Sequence, residues 1–258
     1  IKQAFKRFLW PCLLFSIVNF MWGGLFYPPY KEGGLVSYLS LGYAMWFLWA
    51  LFIYYLLTPI LLRHIKLYIL LFVSFIVALA SGFIDIIGNL LQLSRVICFY
   101  PFFIFGIMLK ENDKYLHTIS RGYKWFLGLL ALSLLYIVAD KSFPSIVYQT
   151  GFTGGFGISL SGLALRVFTY MMCFAMSICF IFVMPNRKLW FSKYGSRTMN
   201  VYVLHMLIIF PCTWYLGPKI MNHWYGYLFL IIGVPVLCLP LFSKYIDSFM
   251  KKVLLLDK

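Results

Sequence analysis

Long runs of apolar residues, separated by short charged or Pro- and Gly-bearing stretches, dominate this chain. The runs are continuous and do not alternate between apolar and polar positions, which predicts helices and argues against the strands of a barrel. A helix needs roughly 20 apolar residues to cross a bilayer. The pattern therefore predicts eight spans, at about 8–27, 43–62, 66–84, 95–109, 122–139, 163–184, 199–217 and 224–243.

Two of these runs contain proline. The fourth run is the shortest and holds Pro101, while the last run holds Pro235 and Pro240. Proline lacks the backbone donor of a helix interior, so the bounds of these two helices, and any kinks in them, are what the pattern defines least well. No internal repeat and no soluble linker divides the chain. The expected fold is all-α: one polytopic transmembrane helical bundle over residues 1–258.

The composition excludes an ordinary soluble domain. Hydrophobic residues make up 63% of the chain and charged residues 11%, against about 45–50% and about 25% in soluble domains. The net charge of +15 would be compatible with nucleic-acid binding in a soluble protein. However, 17 of the 22 Lys and Arg residues fall in one set of alternating connections. The positive-inside rule then predicts that both termini are cytoplasmic, and it explains the charge without a nucleic-acid partner.

The six cysteines lie inside apolar runs, without C-x-x-C spacing or paired histidines. We expect small buried hydrophobic side chains and no metal site. The outer connection, about 140–162, carries Asp140 and the glycine-rich run Gly151–Gly157. No Lys-Ser or Lys-Thr follows it as a phosphate loop requires, so a flexible outer loop is predicted in preference to a binding loop.

Ionisable residues within spans are expected to have a structural or functional role, since inserting each into the bilayer costs about 2.5–3.5 kcal/mol on insertion scales. Asp85 and Arg95 lie near the outer ends of the third and fourth runs, where they could form a salt bridge. Arg166 lies at the outer end of the sixth run and could reach the lipid headgroups. Alternatively, Arg95 and Arg166 face a cavity and hold an anionic or developing negative group.

A polar stripe marks the seventh run. Thr198, Tyr202 and His205 follow i, i+4, i+7 spacing and share one helix face. His205 lies seven residues beyond Thr198, hence about 10 Å along the axis. It either forms a hydrogen bond between helices or takes part in ligand contact or proton transfer.

Several segments resemble the acyltransferase 3 family of integral membrane O-acyltransferases. The stretch Met184–His205 is similar to a late segment of that family, roughly "lP…lG..Sl.iYllH". Met45–Leu51 resembles its "lWFL.aL" helix, and Arg95 with Tyr100–Gly106 resembles its "R…fPFFl.G" helix. Phe5–Pro11 resembles the basic start of its third helix. The closest similarity is to bacterial fucose-acetylase-like and surface-polysaccharide O-acetyltransferases.

The resemblance implies ten helices in a cell membrane, acyl-CoA as donor on the cytoplasmic side and a carbohydrate hydroxyl as acceptor. It also implies a catalytic His in the first helix, in the pattern Arg or Lys, ten residues, then His. No His here completes that pattern: the positions eleven before the four histidines hold Ile53, Gly106, Tyr194 and Cys212. We therefore expect that the family's first two helices, with the catalytic His, are absent from this chain.

No catalytic residue is assigned on this basis. We expect one group of side chains to position substrate or donor: His205, Tyr202, Thr198, Arg95, Arg166 and Trp46. A second group is expected to contact the CoA phosphates: Arg63, Lys66, Arg187 and Arg197. Acetyl-CoA or another acyl-CoA would be a co-substrate, with no tightly bound cofactor. The expected partners are the lipid bilayer, acyl-CoA and the carbohydrate acceptor, and a homodimer is left open.

Two other functions stay open at this point. A transporter or flippase would also carry a polar stripe and broken helices, although no inverted repeat is evident. A catalytically inactive acyltransferase-like subunit would fit the missing histidine.

Overall fold

The computed structural model describes residues 2–26, 45–83, 90–112, 123, 125–133, 160–184, 188–216, 219, 223, 225–226 and 229–254. Within these ranges every regular element is a helix, which confirms the all-α fold. The chain divides into two compact units. We call Leu57–Lys188 the continuous unit, and Ile1–Leu56 together with Leu189–Lys258 the split unit.

We number eight α-helices of the described chain, which are joined in places by other helical segments. The helices are α1 Trp10–Phe26, α2 Trp46–Leu61, α3 Leu67–Ala80, α4 Leu93–Glu111, α5 Leu160–Val183, α6 Thr198–Pro211, α7 Val234–Cys238 and α8 Lys244–Val253. The other segments are Lys2–Ala4, Phe5–Leu9, Ser81–Phe83, Leu90–Gln92, Trp190–Arg197, Cys212–Leu216, Phe229–Gly233 and Leu239–Phe242. Residues 125–133 are also helical.

The continuous unit is built mainly from α3, α4 and α5. Its core centres on Tyr170, which is buried between Ala78 and Cys98. The Tyr170 ring stacks on Phe102, with centroids 5.6 Å apart, and meets the edge of Phe75 at 5.2 Å. These offset and edge-on arrangements are the favourable geometries for aromatic pairs.

In the split unit, α1 packs against α6. The indole Nε1 of Trp22 donates to the carbonyl oxygen of Leu207 at 3.0 Å. At the other end of α1, Trp10 donates from Nε1 to the carbonyl oxygen of Val253 at 3.4 Å. The split unit therefore joins helices that lie more than 180 residues apart in the chain.

Three helices among the described residues are long and apolar enough to cross a membrane: Phe5–Leu25, Leu93–Glu111 and Gly162–Val183. The helices Trp46–Leu61 and Leu67–Phe83 are apolar but shorter. Ile231–Phe242 followed by Lys244–Val253 adds a fourth span if that pair, bent by 68°, counts as one. The chain is a helical membrane protein. The count of eight spans and the cytoplasmic position of both termini stay predictions.

Proline acts differently in the two runs. Pro101 lies buried inside α4, a continuous helix of 19 residues that is longer than the predicted run 95–109. Such a proline is tolerated where neighbouring helices surround it. In the last run, Pro235 and Pro240 each lie in the first turn of a new short helix. A bend of 68° follows at Ser243, at the end of this run.

Helix α8 differs from the other helices in its charge. Its ten residues include Lys244, Asp247, Lys251 and Lys252, while Tyr245 is almost fully exposed. Such a composition is typical of a helix at a membrane surface and not of one in hydrocarbon.

All six cysteines lie in the described part of the chain and are free thiols. Cys12, Cys98, Cys179 and Cys238 are buried, as expected, whereas Cys173 and Cys212 are only half-buried.

Candidate functional site

An aromatic row in the split unit joins the start of α2 to the middle of α6. Trp46 meets the edge of Phe47 at 5.9 Å, and Phe47 meets the edge of Tyr202 at 5.9 Å. The Tyr202 ring lies 6.0 Å from the imidazole of His205. Three of the predicted positioning residues, Trp46, Tyr202 and His205, thus come together through Phe47, which the sequence reading had not assigned.

His205 is held by its own helix. Its Nδ1 lies 2.6 Å from the carbonyl oxygen of Tyr202 and 3.2 Å from that of Val201. A carbonyl oxygen only accepts, so Nδ1 must carry the hydrogen. In the neutral ring the lone pair then lies on Nε2, which can accept a hydrogen bond from a ligand hydroxyl. The bond at Nδ1 is therefore within α6 and not the predicted bond between helices.

Thr198 begins α6 and is exposed. Its hydroxyl donates to the carbonyl oxygen of Gly195 at 2.9 Å. This local bond is typical of a threonine at the start of a helix. It holds Thr198 at the helix end, one turn before Tyr202.

The start of α6 is tied to α8 by a polar network. Asn200 donates from Nδ2 to Asp247 at 3.1 Å, and Lys251 forms an ion pair with Asp247 at 2.9 Å. Arg197 donates from Nη1 to the carbonyl oxygen of Phe242 at 2.8 Å. The hydrogen bond from Lys251, aided by Asn200 and the charge of Arg197, lowers the pKa of Asp247. Arg197, a predicted CoA contact, thus also anchors the turn before α8.

Arg166 lies in the core of the continuous unit, with 1% of its surface exposed. Its Nη1 donates to the carbonyl oxygens of Ala78 at 3.2 Å and Leu79 at 3.4 Å. These carbonyls belong to the last turn of α3, where the helix dipole favours a cation. The side chain therefore points into the protein and not toward lipid headgroups.

The remaining predicted basic residues that the structure describes lie at two different places. Arg95 is half-buried in the first turn of α4, while Arg63 and Lys66 are exposed in the turn between α2 and α3. Arg187 lies outside the described residues, as does Asp85 with its predicted salt bridge to Arg95. The glycine-rich run Gly151–Gly157 and Asp140 also lie outside them.

Sequence reasoning missed two buried polar residues of α1. Ser16 and Asn19 are 6% and 3% exposed. The Ser16 hydroxyl interacts with the Cys12 thiol one turn earlier, whereas both amide atoms of Asn19 have no hydrogen-bond partner in the described part of the protein. Their three-residue spacing, one turn after Cys12 on an apolar helix, was the available signal.

Comparison with known proteins identifies the family of the chain, which the geometry alone does not. The family model of an acyltransferase domain matches residues 1–243. No curated protein and no solved structure matches the chain significantly. The family match covers almost the whole chain, including α1 to α7 and the aromatic row. The protein therefore belongs to the acyltransferase 3 family.

Proposed function

We propose that the protein is an O-acyltransferase of a cell membrane that it crosses several times. It transfers an acyl group, acetyl in the first instance, from acyl-CoA to a hydroxyl of a cell-surface or lipid-linked carbohydrate. Family membership supports acyl transfer. The proposal of a hydroxyl acceptor is based on His205. Its ring is fixed by a hydrogen bond, and its Nε2 can accept a hydrogen bond beside Tyr202.

The reaction makes one ester bond and breaks one thioester bond. The acceptor hydroxyl oxygen attacks the thioester carbonyl carbon, and the hydroxyl proton passes to a base. The carbon–sulfur bond then breaks, and CoA leaves as a thiolate that takes up a proton. Such a reaction needs a base near the hydroxyl and donors near the developing oxyanion.

We assign His205 to acceptor positioning. Since Nδ1 is committed to the carbonyl oxygen of Tyr202, the ring cannot rotate without losing that bond. Its Nε2 would hold the acceptor hydroxyl by accepting its hydrogen. Trp46 and Tyr202, joined through Phe47, offer flat apolar surfaces to a sugar ring. The general base is not assigned to His205.

Basic side chains are proposed to hold the phosphates of CoA, which acts as a co-substrate. Arg63 and Lys66 are exposed in the short turn between α2 and α3, where a phosphate can reach them. Arg197 has one donor engaged with Phe242. A guanidinium has five N–H donors, so others are left for a phosphate. Arg187 is proposed as a phosphate contact from its sequence position alone.

Transfer of labelled acetyl groups tests the proposal. Membranes from cells that make the protein are incubated with acetyl-CoA labelled in the acetyl group, and alkali-labile label is measured in the carbohydrate fraction. Wild-type membranes should incorporate label and His205→Ala membranes much less. His223→Ala, which alters an exposed histidine, is the matched control and should keep the activity. Failure of wild-type membranes to label carbohydrate would overturn the proposed function.

A further inference from the structure

Helix α8 has two different sides. Met250 is buried and Ile246 and Val253 are half-buried, and these three residues share the side that is turned to the protein. Tyr245 and Phe249, one turn apart, are 89% and 64% exposed. Exposed aromatic rings on a short charged helix are typical of the boundary between lipid headgroups and acyl chains.

The end of α8 lies where a membrane-spanning helix begins. Trp10 donates from Nε1 to the carbonyl oxygen of Val253 at 3.4 Å. Trp10 belongs to Phe5–Leu25, which is long and apolar enough to cross a membrane. Lys6 and Arg7, about one turn before Trp10, mark the start of that helix, because charged side chains stay out of hydrocarbon. The contact therefore places the end of α8 at the level of the lipid headgroups.

The bend before α8 is supported by the segment that precedes α6. Helix α8 is bent by 68° from Ile231–Phe242. At this bend, Arg197 donates from Nη1 to the carbonyl oxygen of Phe242 at 2.8 Å, and the Tyr194 ring meets the edge of the Phe242 ring at 5.8 Å. The helical segment Trp190–Arg197 therefore lies next to the start of α8.

This neighbouring segment resembles the exposed side of α8 in its composition. Trp190 is 78% exposed and Phe191 is 50% exposed. Lys193 is exposed close to them, with its Nζ 5.1 Å from the centroid of the Tyr194 ring. Tryptophan and lysine together are typical of the membrane interface, where the ring lies among the headgroups and the ammonium group reaches the phosphates.

Exposed basic side chains from these three segments gather at one end of the split unit. We call them the basic surface, and they are Arg7, Lys193, Lys244 and Lys252. Among the described residues of the split unit the acidic side chain is Asp247, which already forms an ion pair with Lys251 at 2.9 Å. Within that part of the chain, the charge of the basic surface is therefore not neutralised by a carboxylate.

The combination of charge and exposed rings fits an anionic lipid. A phosphate headgroup can pair with lysine and arginine, while the glycerol and upper acyl chains can cover aromatic rings. The sequence also predicts a cytoplasmic position for all three segments, on the side where anionic phospholipids attract basic residues near the bilayer. Inorganic phosphate would meet the charges but would leave the rings uncovered.

We propose that the basic surface binds the headgroups of anionic phospholipids, with Trp190, Tyr245 and Phe249 set among the glycerol groups and upper acyl chains. Lipid binding of this kind does not depend on acyl transfer. Because Asn200 donates to Asp247 at 3.1 Å, lipid bound along α8 also holds the start of α6 in place.

Lipid binding is measured on the full chain by native mass spectrometry in a neutral detergent. The probes are phosphatidylglycerol and phosphatidylcholine with the same acyl chains, each added in a concentration series. The wild type should bind phosphatidylglycerol roughly tenfold more tightly than phosphatidylcholine. Lys244→Gln and Lys252→Gln should each weaken phosphatidylglycerol binding by about fivefold, since one basic residue near a bilayer surface contributes about that much.

Two further variants serve as controls. Lys252→Arg keeps the charge and should bind phosphatidylglycerol as tightly as the wild type. Lys110→Gln is the matched control, because Lys110 is exposed at the end of α4 next to the exposed Glu111 and lies outside the basic surface. In phosphatidylcholine nanodiscs, every variant should unfold at the wild-type temperature, since each replaces an exposed side chain.

Several results would overturn the proposal. One is equal affinity of the wild type for the two lipids, and another is unchanged phosphatidylglycerol binding in Lys244→Gln and Lys252→Gln. Displacement of phosphatidylglycerol by equimolar coenzyme A would assign the surface to a soluble phosphate ligand. A lower unfolding temperature of the two Gln variants in phosphatidylcholine would assign the lysines to the fold itself. Absence of acetyl transfer in the labelling assay would overturn the proposed function and leave lipid binding in place.

Discussion

Arg166 donates a hydrogen bond from Nη1 to the carbonyl oxygen of Ala78, and so places a buried guanidinium at the last turn of α3. The same nitrogen reaches Leu79 at 3.4 Å. A second donor, Ser81 Oγ, contacts the Ala78 carbonyl at 2.8 Å. The guanidinium therefore fastens α5 to α3 within the continuous unit, which is a structural use of a residue that also has the chemistry to bind anions.

Replacing Arg166 should destabilise the protein. Arg166→Met removes the hydrogen bonds to the carbonyl oxygens of Leu79 and Ala78. We therefore expect the free energy of unfolding to fall by about 2–3 kcal/mol. The measurement is thermal unfolding in nanodiscs. Arg63→Met, at an exposed arginine, is the control and should change stability little. Equal unfolding temperatures for the two variants would show that the Arg166 bonds do not support the fold.

Tyr170→Phe should have a smaller effect in the same unit. The Tyr170 hydroxyl donates to the carbonyl oxygen of Cys98 at 2.7 Å, while its ring packs on Phe102. The substitution keeps the ring and removes the hydrogen bond, so the free energy of unfolding should fall by about 1 kcal/mol. Thermal unfolding measures it, and Tyr68→Phe at an exposed position should be neutral. An unchanged unfolding temperature for Tyr170→Phe would contradict a stabilising bond.

Two substitutions of His205 separate positioning from base catalysis. Gln can place its amide near the position of Nε2 but cannot take up a proton. If His205 positions the acceptor, His205→Ala should lower acetyl transfer by about 10- to 100-fold, and His205→Gln should recover part of that loss. A general base would instead be worth about 10²–10⁴-fold, without recovery in the Gln variant. The labelling assay, run across a pH series, measures both.

If turnover in His205→Ala equals that of the wild type, His205 lies outside the site. If His205→Gln loses as much activity as His205→Ala, pure positioning is contradicted and base catalysis is indicated.

The contact between α6 and α8 should weaken in acid. Lys251 and Asn200 lower the pKa of Asp247 in the folded protein, so the carboxylate favours the folded state. This contribution is present above the ordinary pKa of an aspartate, about 4, and is lost as pH falls through the lowered folded value. Its size is below about 1 kcal/mol because the pair with Lys251 is partly exposed.

Unfolding temperature measured from neutral pH down to acid pH tests this effect. Asp247→Asn should be slightly less stable than the wild type at neutral pH, and the difference should shrink below about pH 4. A difference that is constant across the series would exclude titration of Asp247 as its cause.

The sequence predicts the helices well where a continuous apolar run determines where the helix begins. The starts of α1, α5 and α6 lie within a few residues of the predicted runs, and the spacing of Tyr202 and His205 correctly places them on one face. The effect of Pro101 was not predictable, because helix continuation depends on how neighbouring helices surround the proline.

Contacts between side chains of different helices could not be predicted from the sequence either. Nothing in the chain near Arg166 indicates that its guanidinium meets carbonyl groups 87 and 88 residues earlier. The packing of Phe47 between Trp46 and Tyr202 also depends on which helices are neighbours. Asn19 is visible in the sequence as a polar residue, but the lack of a hydrogen-bond partner for its amide is a property of the folded protein.

The division of the chain has a consequence for biosynthesis. Trp10 and Val253, which are hydrogen-bonded in the split unit, leave the ribosome at very different times. At about 5–20 residues per second, the 243 residues between them take roughly 12–50 s to make. During that interval the continuous unit can assemble, while the buried face of α1 waits without α6. The contacts of α1 with Leu207 and Val253 therefore form only late in synthesis.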